Sequence, residues 1–410
     1  MNVTNYPKRE KYLKRIKPLI GQPNFVKIFT GPRKVGKTIL LRHIMEEIKS
    51  VNPEAHIIYV NAEVKKYWNI KDGKDLYQYI HPQITGCTQD KFLFLDELQE
   101  IDGYQGALSA FYADKQCDIY CTSSSSNLIT GELISYLIGK TLNLAVHPLD
   151  YREFMDFHSL ENSRETLDKY LHFGGLPALR LVGLSADMAY EFLRLCYYSI
   201  MFQGLIGYEK LRNVDSLDFL INYLIENTGS IFTGCNLSST LKAKKIDIAV
   251  PVVINYLKAI ANNYFIHKVN RIDFNARIFG RGEKYFFEDL GLRNALANDR
   301  QIGQDTHKLI ENAVFLSLLY NDYKVFSPKQ SDKHVDKELS FMGTREGKRC
   351  YIAVETSIAD EEKRAKVISN FELVDESSPK YIVTLDDDIV NDDYNGIHHI
   401  NLRDFLLQEI

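Results

Sequence analysis

No stretch of the 410-residue chain approaches the apolar length needed to cross a bilayer, and the basic start KREKYLKRIK is not followed by the apolar core of a signal peptide. A protein built on membrane-spanning helices is thereby excluded, and the expectation is a cytoplasmic one with no membrane partner. Paired cysteines are missing too. Cys87, Cys117, Cys121, Cys196, Cys235 and Cys350 form no C-x-x-C pair, and Cys117 and Cys121, flanking a strand-like DIY, read as buried thiols rather than metal ligands. There is little charge of one sign: the formal net charge is -4, so affinity for nucleic acid would have to come from a local patch. What remains is a composition of 45% hydrophobic and 25% charged residues, that of an ordinary globular protein with length enough for two or three cores.

The informative stretch is FVKIFTGPRKVGKTILLRHIMEEIK, Phe25 to Lys49. Gly31, Gly36, Lys37 and Thr38 fit G-x-x-x-x-G-K-[ST], the Walker A pattern, with a short apolar strand before it and Ile39, Leu40, Ile44 and Ile48 at helical spacing after it. A strand that ends in a glycine-permitted turn and enters a helix presents backbone N–H groups and the positive helix end to a phosphate. The expected ligand is ATP, bound by Gly31, Pro32, Arg33, Lys34, Val35, Gly36, Lys37 and Thr38. Lys37 would reach the terminal phosphates, and Thr38 would hold Mg²⁺.

The second stretch is KFLFLDELQE, Lys91 to Glu100, an apolar strand that delivers Asp96 and Glu97 at its C-terminal end. Some sixty residues after a phosphate loop this reads as a Walker B segment: Asp96 orders Mg²⁺, and Glu97 polarises the water that attacks the γ-phosphate. With Lys37, Glu97 is the expected catalytic residue. Strand CDIYCTSSSS, Cys117 to Ser126, ends in hydroxyls. Two readings fit that end: Thr122 and Ser124 as polar sensors of the γ-phosphate, or an ordinary serine-rich turn. TLNLAVHPL supplies a fifth strand after a helical Asn127 to Leu137, and HIIYVNAE another, so the expected core is a parallel sheet covered by helices on both faces. Lys8 to Lys17 carries six basic side chains, with Tyr12, Leu13, Ile16 and Leu19 on one helical face. It reads either as a helix packed on the nucleotide domain or as a docking arm.

Taken together, GPRKVGKT, FLDELQE, TSSSSNLITGEL, LIGK, HPLDYREF, FGGLP, ENTG, KYFFEDLGLRNAL, KLIENAVF and GIHHINLRDFLL make the chain resemble a family of AAA+ ATPases of bacteria and archaea that carry a C-terminal domain of unknown function. The resemblance covers most of the chain. It departs at Gly139-Lys140, where the family usually has Gly-Arg; lysine keeps the charge of a trans-acting finger but loses the planar fork.

The resemblance implies an α/β P-loop NTPase sheet over residues 1–152 and a helical lid over 153–208 that closes on the nucleotide. Residues 209–300 read as a winged helix, from LDFLINYLIENTG, NLSSTLKAKK, VPVVINYLKAIANN and the hairpin beginning YFIHKVNRID. Between residues 235 and 281, Lys242, Lys244, Lys245, Lys258, Lys268, Arg271, Arg277 and Arg281 stand against Asp247 and Asp273, a local excess that suits a nucleic-acid backbone, although winged helices also serve as protein contacts. Residues 301–410 have the element order of a restriction-endonuclease-like fold. Ser340, Ala353 and Glu355 fall where its metal-binding acids and lysine belong, and only Glu311 and Glu338 keep plausible carboxylates. The expectation is an inactive nuclease-like domain. The chain as a whole reads as a Mg²⁺-dependent ATPase whose nucleotide state repositions these domains, or alternatively as a slow nucleotide-gated switch that acts by binding a partner. A small-molecule kinase is a weaker third reading, because the added domains supply no acceptor pocket.

Overall fold

The computed structural model describes residues 6–126, 137, 139–208, 214–243, 248–274, 278–297, 305–331, 336–375, 377–389 and 392–408. The chain divides into two units. The first comprises Met1–His147 with Asn262–Tyr264, and the second Pro148–Ala261 with Phe265–Ile410. Among the described residues no helix is long and apolar enough to cross a membrane.

The first unit begins with α1, Glu10–Ile16, whose Tyr12, Leu13 and Ile16 are buried against α2, Lys37–Val51. Its sheet contains β1, Val26–Thr30; β2, His56–Asn61; β3, Lys91–Asp96; β4, Asp118–Ser123; and β5, Thr141–Ala145. All pairs are parallel in the order β2-β3-β4-β1-β5, so β4 is inserted between the strand that enters the phosphate loop and the strand that ends in the paired acids. Strands this apolar are stable only when covered on both faces. Val26, Ile28, Leu93, Leu95 and Ile119 pack on one side against α3, Gly73–Thr85, and α4, Tyr104–Asp114. The thiols of Cys117 and Cys121 lie in this same core, unpaired. The helix expected at Asn127 to Leu137 lies, apart from Leu137, outside the described residues.

The second unit opens with α5, Tyr151–His158, α6, Arg164–Phe173, and α7, Ala186–Ser199, which continues as a π-helix over Ile200–Tyr208. Three further helices follow, α8, Val214–Glu226, α9, Gly234–Ala243, and α10, Val250–Asn262, and then the antiparallel hairpin of β6, Ile266–Ile272, and β7, Ile278–Phe287. After α11, Leu290–Leu296, come α12, Thr306–Tyr320; β8, Lys324–Ser331; β9, Asp336–Glu338; β10, Phe341–Arg345; and β11, Lys348–Val354. The last elements are α13, Glu361–Ser369; β12, Lys380–Thr384; β13, His398–Asn401; and α14, Leu402–Leu407.

The hairpin is continuous with the C-terminal strands. Strand β6 pairs in parallel with β8, giving one sheet ordered β13-β12-β11-β10-β8-β6-β7, with β9 on β8. The expected boundary at 300/301 falls in a stretch outside the described residues, and the strands on its two sides share this sheet. The expected boundary at 152/153 falls inside α5, five residues beyond the division between the units. Two of the sequence motifs meet in this unit. A Cβ on Gly175 of FGGLP would lie 2.2 Å from the Leu149 carbonyl oxygen, and the Gly175 N–H donates to Asp289 of FFEDLG at 2.7 Å. Asp289 also caps α11 through the Leu292 N–H, at 2.8 Å.

Candidate nucleotide site

Strand β1 is buried along its whole length and runs out at Thr30, whose carbonyl accepts from the Val146 N–H at 2.6 Å. The chain leaving β5 therefore passes directly beside residue 31. A Cβ there would sit 2.0 Å from the Val146 carbonyl oxygen, so only glycine fits Gly31. The loop then turns through Lys34, at φ 71°, and Gly36, at φ 91°, which caps α2 without any side-chain hydrogen bond. The first amides of α2, those of Lys37, Thr38 and Ile39, thus have no acceptor within the helix, and they are the groups that bind an anion at a helix N-terminus. Thr38 is partly buried in that first turn, and Lys34 is exposed.

Lys37 is buried and folded over its own loop. Its Nζ donates to the carbonyls of Gly31 and Pro32 and to Ser124 Oγ, each at 2.9 Å, and lies 3.4 Å from Glu97 Oε1. Burial lowers its pKa, and the Glu97 charge opposes that shift. Arg33 is also buried, donating to Glu63 and, at 2.7 Å, to Glu100. Behind the loop, Arg9 just before α1 donates to the carbonyls of His147 at 2.7 Å and Val35 at 3.3 Å. The N-terminal basic segment is thus packed on the nucleotide-domain core, and one of its cations holds the loop from behind.

Strand β3 ends at Asp96. Its Oδ1 accepts from Thr122 Oγ1 at 2.6 Å, and its Oδ2 accepts from Tyr59 OH and Asn61 Nδ2, both at 2.7 Å. All these donors are neutral, and among the described residues Asp96 makes no ion pair. A carboxylate held by neutral donors, with no ion pair of its own, is the kind of oxygen ligand that suits a hard cation such as Mg²⁺. Glu97 follows in the left-handed region, at φ 54°. Its backbone N–H donates to Thr122 Oγ1 at 2.8 Å, and its Oε2 accepts from Ser124 Oγ at 2.6 Å and Gln99 Nε2 at 2.7 Å. Burial would raise the Glu97 pKa, but the charges of Lys37 and Arg33, with the hydrogen bonds from Ser124 and Gln99, bring it down to about 2.

Lys37 of the phosphate loop, Asp96 and Glu97 at the end of β3, and Thr122 and Ser124 at the end of β4 therefore converge. Thr122 and Ser124 are both built into the acidic pair by hydrogen bonds. Tyr59, Asn61, Glu63, Gln99 and Glu100 were missed. The available signal was their place at the C-terminal ends of parallel strands, where such sheets bind ligands. Lys140 stands elsewhere. It is exposed at the start of β5, where its carbonyl accepts from the Val26 N–H at 2.9 Å, at the end of the sheet opposite Gly31.

Residues 23–155 match the model of the AAA domain, and residues 164–303 match a domain of unknown function (DUF8612). The chain carries an AAA domain. The AAA domain lies N-terminal to the region of unknown function, as the motifs imply. The chain is similar to an uncharacterized protein of Haemophilus influenzae, 25% identical over 334 residues that make up 80% of this chain and 82% of the relative. It is also similar to the Methanocaldococcus jannaschii protein MJ1544, 24% identical over 330 residues, 77% of this chain and 72% of the relative. Among solved structures it resembles the Aeropyrum pernix Orc1 protein in complex with DNA, at 14% identity and TM-score 0.31, over 73% of this chain and 94% of that one. AMPPCP-bound DnaA from Aquifex aeolicus is similar at 16% identity and TM-score 0.29, over 55% and 73%.

In the second unit, Lys268 is paired with Glu283 at 2.6 Å, Lys242 closes α9, and Lys258 is exposed on α10 beside Pro251, Val252 and Ile254. Lys244, Lys245 and Arg277 lie outside the described residues. Ser340 Oγ accepts from the Val354 N–H at 2.9 Å, and Glu355 pairs with Lys363 at 2.9 Å. Glu311 and Glu338 approach Lys284 Nζ at 3.3 and 3.7 Å, and Glu338 also pairs with Lys329 at 2.9 Å.

Proposed function

We propose that this protein is a Mg²⁺-dependent ATPase working in the cytoplasm, and that its nucleotide state repositions the second unit. The observation that carries this reading is the convergence of Lys37, at the start of α2, with Asp96 and Glu97, at the end of β3, with Ser124 just beyond β4 bonded to both Lys37 and Glu97. Lys37 donates now to loop carbonyls and would transfer those bonds to the terminal phosphates. Mg²⁺, when bound beside Thr38 and Asp96, supplies charge neutralisation at the β- and γ-phosphates. Glu97 takes the proton of the attacking water. Stabilisation of the protein by ATP that is lost in Lys37→Ala, together with binding that survives and turnover that stops in Glu97→Gln, is the expected result. Turnover in Glu97→Gln equal to the unmodified protein overturns the assignment of the base.

A second reading, a slow switch whose output is partner binding, is favoured by one specific observation. Both Glu97 oxygens have partners in this structure, Oε2 accepting from Ser124 and Gln99 and Oε1 lying 3.4 Å from Lys37 Nζ. A near-stoichiometric burst of product marks the switch, and rapid turnover that rises with protein concentration marks an assembling motor.

For the second unit we read α8 to β7 as a winged helix and α12 to β13 as a nuclease-like fold without nuclease activity. The pairing of Glu311 and Glu338 with Lys284, and of Glu338 with Lys329, supports the latter, because cations already neutralise the remaining acids. The exposed Pro251, Val252 and Ile254 on α10 favour a protein partner over a nucleic acid across residues 235–281. Binding to duplex at low salt that disappears on charge reversal of Lys242 and Lys258 would reverse that preference.

A further inference from the structure

Gln99 sits in the single helical turn after Glu97 and is 6% exposed. Its Nε2 faces two carboxylates, Glu97 Oε2 at 2.7 Å and Glu100 Oε1 at 3.4 Å, and this fixes which end of the amide is the nitrogen. The other end, Oε1, is buried and has no donor among the described residues. Buried carbonyl oxygens are almost always satisfied, and an exception beside a reactive carboxylate marks a place for a mobile donor. Water is such a donor. A water attacking phosphorus must keep one lone pair aimed along the reaction axis, and it is held there when both its hydrogens are taken by fixed acceptors. Glu97 supplies one acceptor, and Gln99 Oε1 supplies a second on the neighbouring side chain.

We propose that Gln99 is the positioning residue for the hydrolytic water, taking one hydrogen bond on Oε1 while its Nε2 holds Glu97 in place. This rests on the ATPase reading above. In the step itself the water oxygen bonds to the γ-phosphorus, and the bond from that phosphorus to the ADP oxygen breaks. One water proton passes to Glu97, while the hydrogen held by Gln99 stays with the new phosphate. The charged groups that act on Glu97 are Lys37 and Arg33. Gln99 is the neutral member, so it can donate and accept without changing the charge of the site.

The test compares the unmodified full-length protein with Gln99→Ala and with the near-isosteric Gln99→Met, which retains the packing. Two measurements are made with Mg²⁺: single-turnover ATP hydrolysis, and equilibrium binding of ADP–beryllium fluoride and ADP–aluminium fluoride. The beryllium complex mimics bound ATP, whereas the aluminium complex also includes the in-line water. The expected result is a fall of about 100-fold in the single-turnover rate. Affinity for ADP–aluminium fluoride should fall about 10-fold, with affinity for ADP–beryllium fluoride within about twofold of the unmodified protein. Equal loss of both complexes, or an unchanged rate in Gln99→Met, overturns the inference and leaves the ATPase reading intact. No product from the unmodified protein overturns both.

Discussion

Ser124 Oγ donates to Glu97 Oε2 at 2.6 Å while accepting from Lys37 Nζ at 2.9 Å, so one hydroxyl just beyond β4 links the phosphate-loop cation to the acid at the end of β3. Replacing it by alanine removes both bonds and leaves Glu97 with Gln99 as its hydrogen-bonding side chain. Lys37 keeps the two loop carbonyls. Ser124→Ala should therefore bind ATP within about threefold of the unmodified protein and turn it over about 10-fold more slowly. Titration with a fluorescent ATP analogue alongside steady-state phosphate release checks both halves of the expectation. A serine that merely completes a turn would alter neither.

Glu97 makes the pH dependence of stability predictable. Its folded-state pKa is depressed from the ordinary 4.5 to about 2, because the Lys37 and Arg33 charges outweigh its burial. Between those values the unfolded chain binds a proton that the folded chain does not. The contribution is therefore fully present above pH 4.5 and is lost as pH falls towards 2. Its size is on the order of 3 kcal/mol. In Glu97→Gln this part of the acid loss should vanish, so that the gap in stability from the unmodified protein narrows as pH falls. Urea unfolding at a series of pH values without nucleotide measures the gap directly.

The contrast between what the sequence announced and what it hid has a physical basis. Gly31, Gly36, Lys37 and Thr38 were legible because a fixed local backbone creates the anion site, and local backbone is encoded by adjacent residues. Asp96 and Glu97 were legible because an apolar strand ending in acids has few other uses beside such a loop. Arg9 was not legible, because its acceptor, the carbonyl of His147, is 138 residues away and carries no side-chain signature. Gln99 and Glu100 stood in plain view within FLDELQE, but which of two adjacent polar residues turns inward depends on the left-handed backbone at Glu97. The joining of the β6–β7 hairpin to β8 was hidden for the same reason as Arg9. Strand pairing between distant segments leaves no periodicity in either one, and the element order alone suggested two separate domains.

Arg9 holds the phosphate loop through the Val35 carbonyl and the exit of β5 through the His147 carbonyl, with its guanidinium 4.6 Å from the centre of the Tyr12 ring. A planar fork is suited to two acceptors and a stacked ring at once, whereas a lysine ammonium is not. Arg9→Ala should weaken ATP binding by about 5- to 10-fold while leaving the hydrolysis rate of bound ATP within about twofold. Arg9→Lys should lie between the two. Calorimetric titration with ATP in Glu97→Gln background variants, where turnover cannot interfere, reads the affinity. Single-turnover assays in the otherwise unmodified protein read the rate.

Lys140 stands at the start of β5, and its Nζ lies 5.3 Å from the centre of the Tyr112 ring. Five strand residues separate it from the end of the sheet where the phosphate loop turns, a span of about 16 Å. It therefore cannot reach the Lys37 site of its own chain. A catalytic role requires a second copy to present Lys140 to a nucleotide held by the first. If it has that role, turnover per chain rises with protein concentration, and Lys140→Ala removes the rise without changing ATP affinity. Lys140→Arg should then increase turnover by about 10-fold, because the guanidinium bonds two phosphate oxygens where the ammonium acts as a point charge. Mixing Lys140→Ala with Lys37→Ala chains gives the decisive measurement. Chains that bind ATP but lack the finger meet chains that carry the finger but cannot bind. Neither parent turns over efficiently alone, and the mixture should recover activity through the one pairing in which both parts are intact.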